Sequence, residues 1–127
     1  MASISGSVAL VTGSARGIGK AVALRLAEDG HDIALNDIAA NSDQLEETAG
    51  EIRAKGVKVT TAIADVSVEG EVKAMVDKVA TDLGALNVMI SNAGIARVES
   101  LLETTVEAWD NMMGVNLRGT FLCYKTA

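Results

Sequence analysis

The sequence predicts an α/β protein built on a doubly wound parallel sheet, and three observations predict it. Short apolar, β-branched runs alternate regularly with segments of helical periodicity. The connections between them are a few residues long and mostly punctuated by glycine. The first run, Val8–Val11, passes through Thr12-Gly13 and Gly17-Ile18-Gly19 into a helical segment. A strand feeding a glycine-rich turn and then a helix N-terminus turns backbone N–H groups toward an anion such as a phosphate.

The elements follow in order. Ile18, Ala21, Val22 and Leu26 recur at helical spacing after the glycine turn, and Gly30 stops that helix. Ile33–Asp37 is the second strand. Asn41 is read as a helix cap with Gln44 three residues in, and Leu45, Ala49 and Ile52 share one face of the helix that follows. Val57–Ile63, rich in β-branched residues, is the third strand after Gly56. Ser67 is read as the cap of a helix with the stripe Val68, Val72, Val76, Val79 and Leu83, and Gly84 ends it. Leu86–Ser91 is the fourth strand, and Asn92-Ala93-Gly94 turns it into a loop. Thr104 and Glu107 form a capping-box pattern that opens a last helix carrying Trp109, Met113, Phe121 and Tyr124. This β-α-β-α-β-α-β-α order predicts strand order 3-2-1-4, the first part of a 3-2-1-4-5-6 sheet, and the chain stops where a fifth strand is due.

Composition sets the outer bounds. The 127 residues make one domain, 49% apolar and 22% charged, with no proline. A net charge of −6 argues against nucleic acid or an anionic membrane as partner. Cys123 is the single cysteine, which excludes an intrachain disulfide and a cysteine-based metal site; no metal site is read elsewhere. Met1–Ser7 lacks the basic and apolar regions of a signal peptide, and no apolar run reaches membrane-spanning length. The expectation is a soluble cytoplasmic protein. His31 is read as a solvated turn residue and Cys123 as a small packer on the last helix.

Each glycine of the turn has a role that a side chain would block: Gly13 turns the chain, Gly17 admits an anion to the backbone, and Gly19 packs helix on strand. A P-loop fits worse, because Ser14 stands where it needs glycine and Ala21 where it needs Ser or Thr. Asp37 and Ile38 close the second strand, where a carboxylate accepts the ribose hydroxyls of an adenosine. That favours NAD. A 2′-phosphate about 4 Å from a carboxylate costs on the order of 4 kcal/mol at an effective dielectric of about 20. Arg16, in the turn, keeps NADP open, since it has the charge to pair with such a phosphate; packing on adenine or pairing with Asp37 are its other readings.

With Asp65-Val66, Asn92-Ala93-Gly94 and Val115-Asn116 added to the glycine turn, the chain resembles the short-chain dehydrogenases/reductases over its whole length. The resemblance implies a Rossmann-type sheet over 1–127 with NAD(P) held by Gly13, Ser14, Arg16, Gly17, Ile18, Gly19, Asp37 and Ile38. It also implies Asp65 and Val66 on the adenine, and Asn92, Ala93 and Gly94 over the ribose. Asn116 matches the family's helix asparagine, which holds a water of the proton relay, and its spacing places it on an interior face beside Trp109 and Phe121. Ser91 stands where the family usually has asparagine, a shorter donor that predicts a looser loop. The stretch Ile33–Asn41 is most similar to acetoin/diacetyl reductases.

The family's catalytic serine and Tyr-x-x-x-Lys pair have no match among these residues. Tyr124 has Lys125 beside it, and adjacent helical residues diverge. Three readings follow. The chain is the cofactor-binding half of an enzyme that moves a hydride between NAD(H) and an alcohol/carbonyl pair, lacking the C-terminal catalytic half and inactive alone. Alternatively it is a non-catalytic NAD(H)-binding module that docks on a full-length paralogue. In the third it is a poorly folding product with an open sheet edge. The family's use of the last helix in a dimer implies self-association through 104–127.

Overall fold

The computed structural model describes residues 4–127. Met1, Ala2 and Ser3, part of the segment read as no signal peptide, lie outside the described residues. Four parallel strands form one sheet in the order β3-β2-β1-β4, as the alternation predicts: β1 (Val8–Val11), β2 (Asp32–Asp37), β3 (Val59–Ile63) and β4 (Val88–Ile90). The helices are α1 (Gly17–Glu28), α2 (Ser42–Arg53), α3 (Glu69–Leu83), α4 (Val106–Met113) and α5 (Gly119–Thr126).

Strand alternation sorts the core into two layers. Val8 and Leu10 of β1 face a cluster with Ala34, Val72, Val79, Leu122 and Cys123, which belong to β2, α3 and α5. Ala9 and Val11 face the opposite cluster, with Ala23, Ala27, Leu45, Ala49 and Ile52 from α1 and α2. Every residue of β1 is fully buried, so the glycine turn that follows it rests on the most enclosed strand of the sheet.

Several element ends differ from expectation, and side chains explain most of them. β4 is shorter than Leu86–Ser91; before its start the Asn87 N–H donates to the Val8 carbonyl at 2.9 Å, while the Val8 N–H donates to Asn87 Oδ1 at 2.8 Å and not to a main-chain carbonyl. β3 begins at Val59 rather than Val57; the Lys58 N–H donates to the side-chain carboxylate of Asp32 in β2 instead of to a main-chain carbonyl. Asn41 precedes α2, but its side chain makes no cap bond; a short 3-10 turn over Ala39–Asn41 sends its amide elsewhere. Ser67 does not cap α3 either. Its hydroxyl donates to Asp65 Oδ1 at 2.6 Å, the helix starts at Glu69, and Val68 is exposed. At the last helix the cap is Thr105, not Thr104, with the Ala108 N–H donating to its hydroxyl at 3.1 Å.

That last helix is also not a plain α-helix. A π turn over Gly114–Arg118 separates α4 from α5 and widens one turn at Asn116. Gly119 begins α5, where a Cβ would meet Val66 Cγ2 at 2.7 Å, so the helix sits directly on the segment after β3. His31 is half-buried rather than solvated, and its Nδ1 is enclosed with no hydrogen-bond partner among the described residues. Cys123 is fully buried as expected, and burial pushes its thiol above the ordinary cysteine range. No helix among the described residues is long and apolar enough to cross a membrane.

Leu10 is the test of this core. Leu10→Ala is expected to lower unfolding stability by about 2–5 kcal/mol in urea titration; a loss under about 1 kcal/mol contradicts the packing described.

Candidate functional site

Four chain segments leave the C-terminal ends of the strands and meet in one cleft of about 320 Å³. They are Gly13 and Arg16 after β1, Asp37-Ile38 at the end of β2, Ala64–Val66 after β3, and Ala93–Ile95 after β4. In the order β3-β2-β1-β4, successive connections change direction between β1 and β4, and the crevice at such a switch point is where open α/β sheets bind ligands.

The cleft floor is locked by hydrogen bonds within the protein. Thr12 is fully buried, and its hydroxyl accepts the N–H groups of both Asn92 and Ala93 at 3.0 Å. In return Asn92 Nδ2 donates to the carbonyls of Thr12 and Gly13, each at 3.1 Å. Two loops far apart in sequence are thus tied by four hydrogen bonds. Glycine is required where they touch. Gly13 has φ +63°, and a Cβ there would lie 2.9 Å from Ala93 Cα; at Gly19 a Cβ would overlap the Gly13 carbonyl oxygen.

Gly17 differs. It also has a positive φ, +62°, but a Cβ would meet nothing within 4 Å, so its backbone faces open space. Arg16 precedes α1 in extended conformation without capping it, and no acidic residue lies in the first turn. The first N–H groups of α1 therefore keep their partial positive charge for an anion.

The far wall is acidic. Asp37 is half-buried; its Oδ2 accepts the Ala15 N–H at 3.1 Å, and its Oδ1 accepts the Ile38 N–H and Asn41 Nδ2, both at 2.9 Å. Arg16 lines the same cleft and makes no ion pair with Asp37 among the described residues. Asp65 Oδ1 is held by the Ser67 N–H and hydroxyl, and Val66 is buried beneath Gly119.

Of the residues singled out from sequence, Gly13, Arg16, Asp37, Ile38, Asp65, Val66, Ala93 and Gly94 line the cleft. The others stand outside that lining. Ser14 is turned into the sheet, its hydroxyl donating to the Asn36 carbonyl at 3.2 Å and accepting the Asn36 N–H at 3.1 Å. Ile18 is 77% exposed. Asn92 and Gly19 act through the lock beneath the floor.

Asn116 requires a correction. It is exposed rather than interior, and Trp109 and Phe121 are exposed too. Its amide grips the main chain of Ile95 at both ends: the Ile95 N–H donates to Oδ1 and Nδ2 donates to the Ile95 carbonyl, each at 2.8 Å. In this structure its side chain anchors the loop that follows Gly94. Tyr124 and Lys125 diverge as expected, Lys125 turning toward Glu69 at 3.5 Å. Ser91, in place of the family's asparagine, donates to the Thr120 hydroxyl at 3.3 Å and so links β4 to α5.

The sequence reasoning missed the roles of Thr12, Asn36 and Asn41. Asn36 is a buried polar residue that follows the apolar, buried run Ile33-Ala34-Leu35 of β2 and precedes Asp37. Its Nδ2 donates to the carbonyls of Ala62 and Ala64, which fixes the segment leading to Asp65. A polar amide directly after a buried apolar strand run is the signal that could have found it.

Comparison with known proteins agrees with this geometry. The profile of the short chain dehydrogenases matches residues 7–127. The chain belongs to this family. It is 54% identical over 122 residues to a short-chain dehydrogenase/reductase of Armillaria gallica, covering 96% of this chain and 47% of that protein. It is 42% identical over 119 residues to a 3-oxoacyl-acyl-carrier-protein reductase of Staphylococcus aureus, covering 94% and 48%. Among solved structures, a short chain dehydrogenase from Burkholderia cenocepacia in complex with NADP superposes with TM-score 0.93 at 35% identity, covering 99% of this chain and 51% of that one. The chain spans about half the length of the relatives it matches.

Two glycines separate fold from ligand binding. Gly19→Ala is expected to lose about 3 kcal/mol or more of stability through the clash with Gly13. Gly17→Ala is expected to lose only about 1–2 kcal/mol from its left-handed backbone. Thermal unfolding of both variants checks the contrast, and equal losses contradict it.

Proposed function

We propose that this chain binds a nicotinamide dinucleotide, with the pyrophosphate at the N-terminus of α1 and the adenosine between Asp37 and Asp65. The observation that carries the reading is the open backbone at Gly17 above an uncapped helix start, set beside an acidic cleft. The residues fit the group: glycine stands wherever a backbone must come close, and the cleft volume of about 320 Å³ falls within the range of about 300–1,000 Å³ usual for ligand clefts. Gly17 and the first turn of α1 would hold phosphate, Asp37 a ribose hydroxyl, and Asp65 with Val66 the adenine. Bound there, the cofactor would deliver a hydride to a carbonyl carbon or accept one from the carbon of an alcohol.

NAD is the preferred form in this reading. Asp37 is held by three donors and cannot turn from a 2′-phosphate without breaking them. Arg16, with no carboxylate partner among the described residues, is the residue that softens the preference. The parent activity is hydride transfer between NAD(H) and an alcohol/carbonyl pair. The 127 residues contain no Tyr-x-x-x-Lys pair, so the chain by itself binds without turning substrate over. We place it in the cytoplasm; a single buried thiol suits a reducing compartment.

A second reading, a non-catalytic module that pairs with a longer paralogue or with itself, is favoured by one observation. Val106, Trp109, Leu117, Phe121 and Tyr124 all lie more than half exposed along residues 104–127. Apolar surface of that extent is usually covered by another protein. Self-association through this helix predicts a concentration-dependent dimer in sedimentation that Phe121→Glu abolishes; a monomer at every concentration contradicts it.

Calorimetric titration tests the principal reading. NAD(H) is expected to bind, Asp37→Ala to improve NADP relative to NAD by about tenfold or more, and diols or diketones with NAD(H) to give no turnover above background. Absence of NAD(H) binding at millimolar concentration overturns it.

A further inference from the structure

We propose that Asn41 is a positioning residue for nucleotide discrimination, acting by fixing the Asp37 carboxylate; the inference rests on the dinucleotide reading above. Asp37 ends β2, and the 3-10 turn over Ala39–Asn41 folds the chain back so that Asn41 returns to the same cleft wall. Its Nδ2 donates to Asp37 Oδ1 at 2.9 Å. The other donors to the carboxylate, Ala15 N–H and Ile38 N–H, are backbone groups. Asn41 is therefore the one side chain among the described residues that sets the orientation of this carboxylate.

The geometry has two consequences. Oδ1 receives two donors, which fills its lone pairs, while Oδ2 receives one and keeps a single acceptor site. Asp37 therefore offers a ribose one strong acceptor at a fixed place. The pinned carboxylate also holds its negative charge where a 2′-phosphate would stand. Freed from Asn41, it gains rotational freedom about its side-chain bonds, and a 2′-phosphate can then displace it at lower cost. Asn41 itself lines the cleft, so a charge placed at position 41 acts directly on the same phosphate.

The experiment measures dissociation constants for NAD and NADP by calorimetry in the chain and in Asn41→Ala, Asn41→Asp, Asp37→Ala and the Asp37→Ala/Asn41→Ala pair. Thermal unfolding of each variant is recorded alongside. Asn41→Ala is expected to lower the NADP-to-NAD ratio of dissociation constants about three- to tenfold, the scale of one charge-assisted hydrogen bond. Asn41→Asp loses the same donor and is expected to show a higher ratio than Asn41→Ala, because a second carboxylate meets the phosphate; a ratio equal to or below that of Asn41→Ala overturns the proposal. In the Asp37→Ala background, Asn41→Ala is expected to leave the ratio unchanged, since its effect passes through Asp37. A generic structural role weakens both nucleotides in parallel and leaves the ratio where it was, which overturns the proposal. An equal drop with and without Asp37 overturns it as well. If the unsubstituted chain binds neither nucleotide, the dinucleotide reading itself fails, an outcome separate from a ratio that ignores Asn41.

Discussion

The arrangement depends on one buried hydroxyl. Thr12 accepts the N–H groups of Asn92 and Ala93, and Asn92 answers by donating to the carbonyls of Thr12 and Gly13. Buried backbone groups left unpaired cost roughly 1–3 kcal/mol each, so this exchange is a strong constraint on where both loops lie. It also dictates the glycines. With Ala93 against Gly13 and the Gly13 carbonyl against Gly19, no side chain fits at either glycine. The floor of the cleft is thus set by packing and hydrogen bonding within the protein.

Around that floor the polar groups are pre-oriented by the sheet. Asn36 ties β2 to carbonyls at and just past the end of β3, Ser14 extends the pairing of β1 with β2, and the result places Asp37 and Asp65 on one wall. The opposite end is a helix start with open backbone at Gly17. Positive partial charge at one end and carboxylates at the other is the polarity an adenosine pyrophosphate requires, acceptor groups toward its hydroxyls and donors toward its phosphates. Asn116 steadies the last loop from outside, through the main chain of Ile95.

Much of this was legible in the sequence because periodicity and glycine punctuation are local signals. The four strands, their order and the glycine turn follow from spacing alone, and Asp37 from its place at the end of β2. What was not legible turns on choice of partner. Asn41, Ser67 and Thr104 all carry the chemistry of a helix cap. The first two instead spend their donors on Asp37 and Asp65, and Thr104 donates to the Ser100 carbonyl. A local pattern shows which groups are able to cap and not which competing acceptor lies closer in the fold. The π turn at Gly114–Arg118 was hidden for a similar reason: Asn116 meets Ile95 across a loop, and helical spacing places it one step from its true direction.

The central claim is that the chain carries a cradle already formed for a dinucleotide, and backbone-amide NMR of the free chain titrated with NADH tests it most directly. The account predicts well-dispersed, exchange-protected Asn92 and Ala93 amides before ligand is added. It further predicts NADH-induced shifts confined to Gly13–Gly19, Asp37-Ile38, Asp65-Val66 and Ala93-Gly94. Unprotected Asn92 and Ala93 amides in the free chain, or NADH shifts that miss these segments, would contradict it.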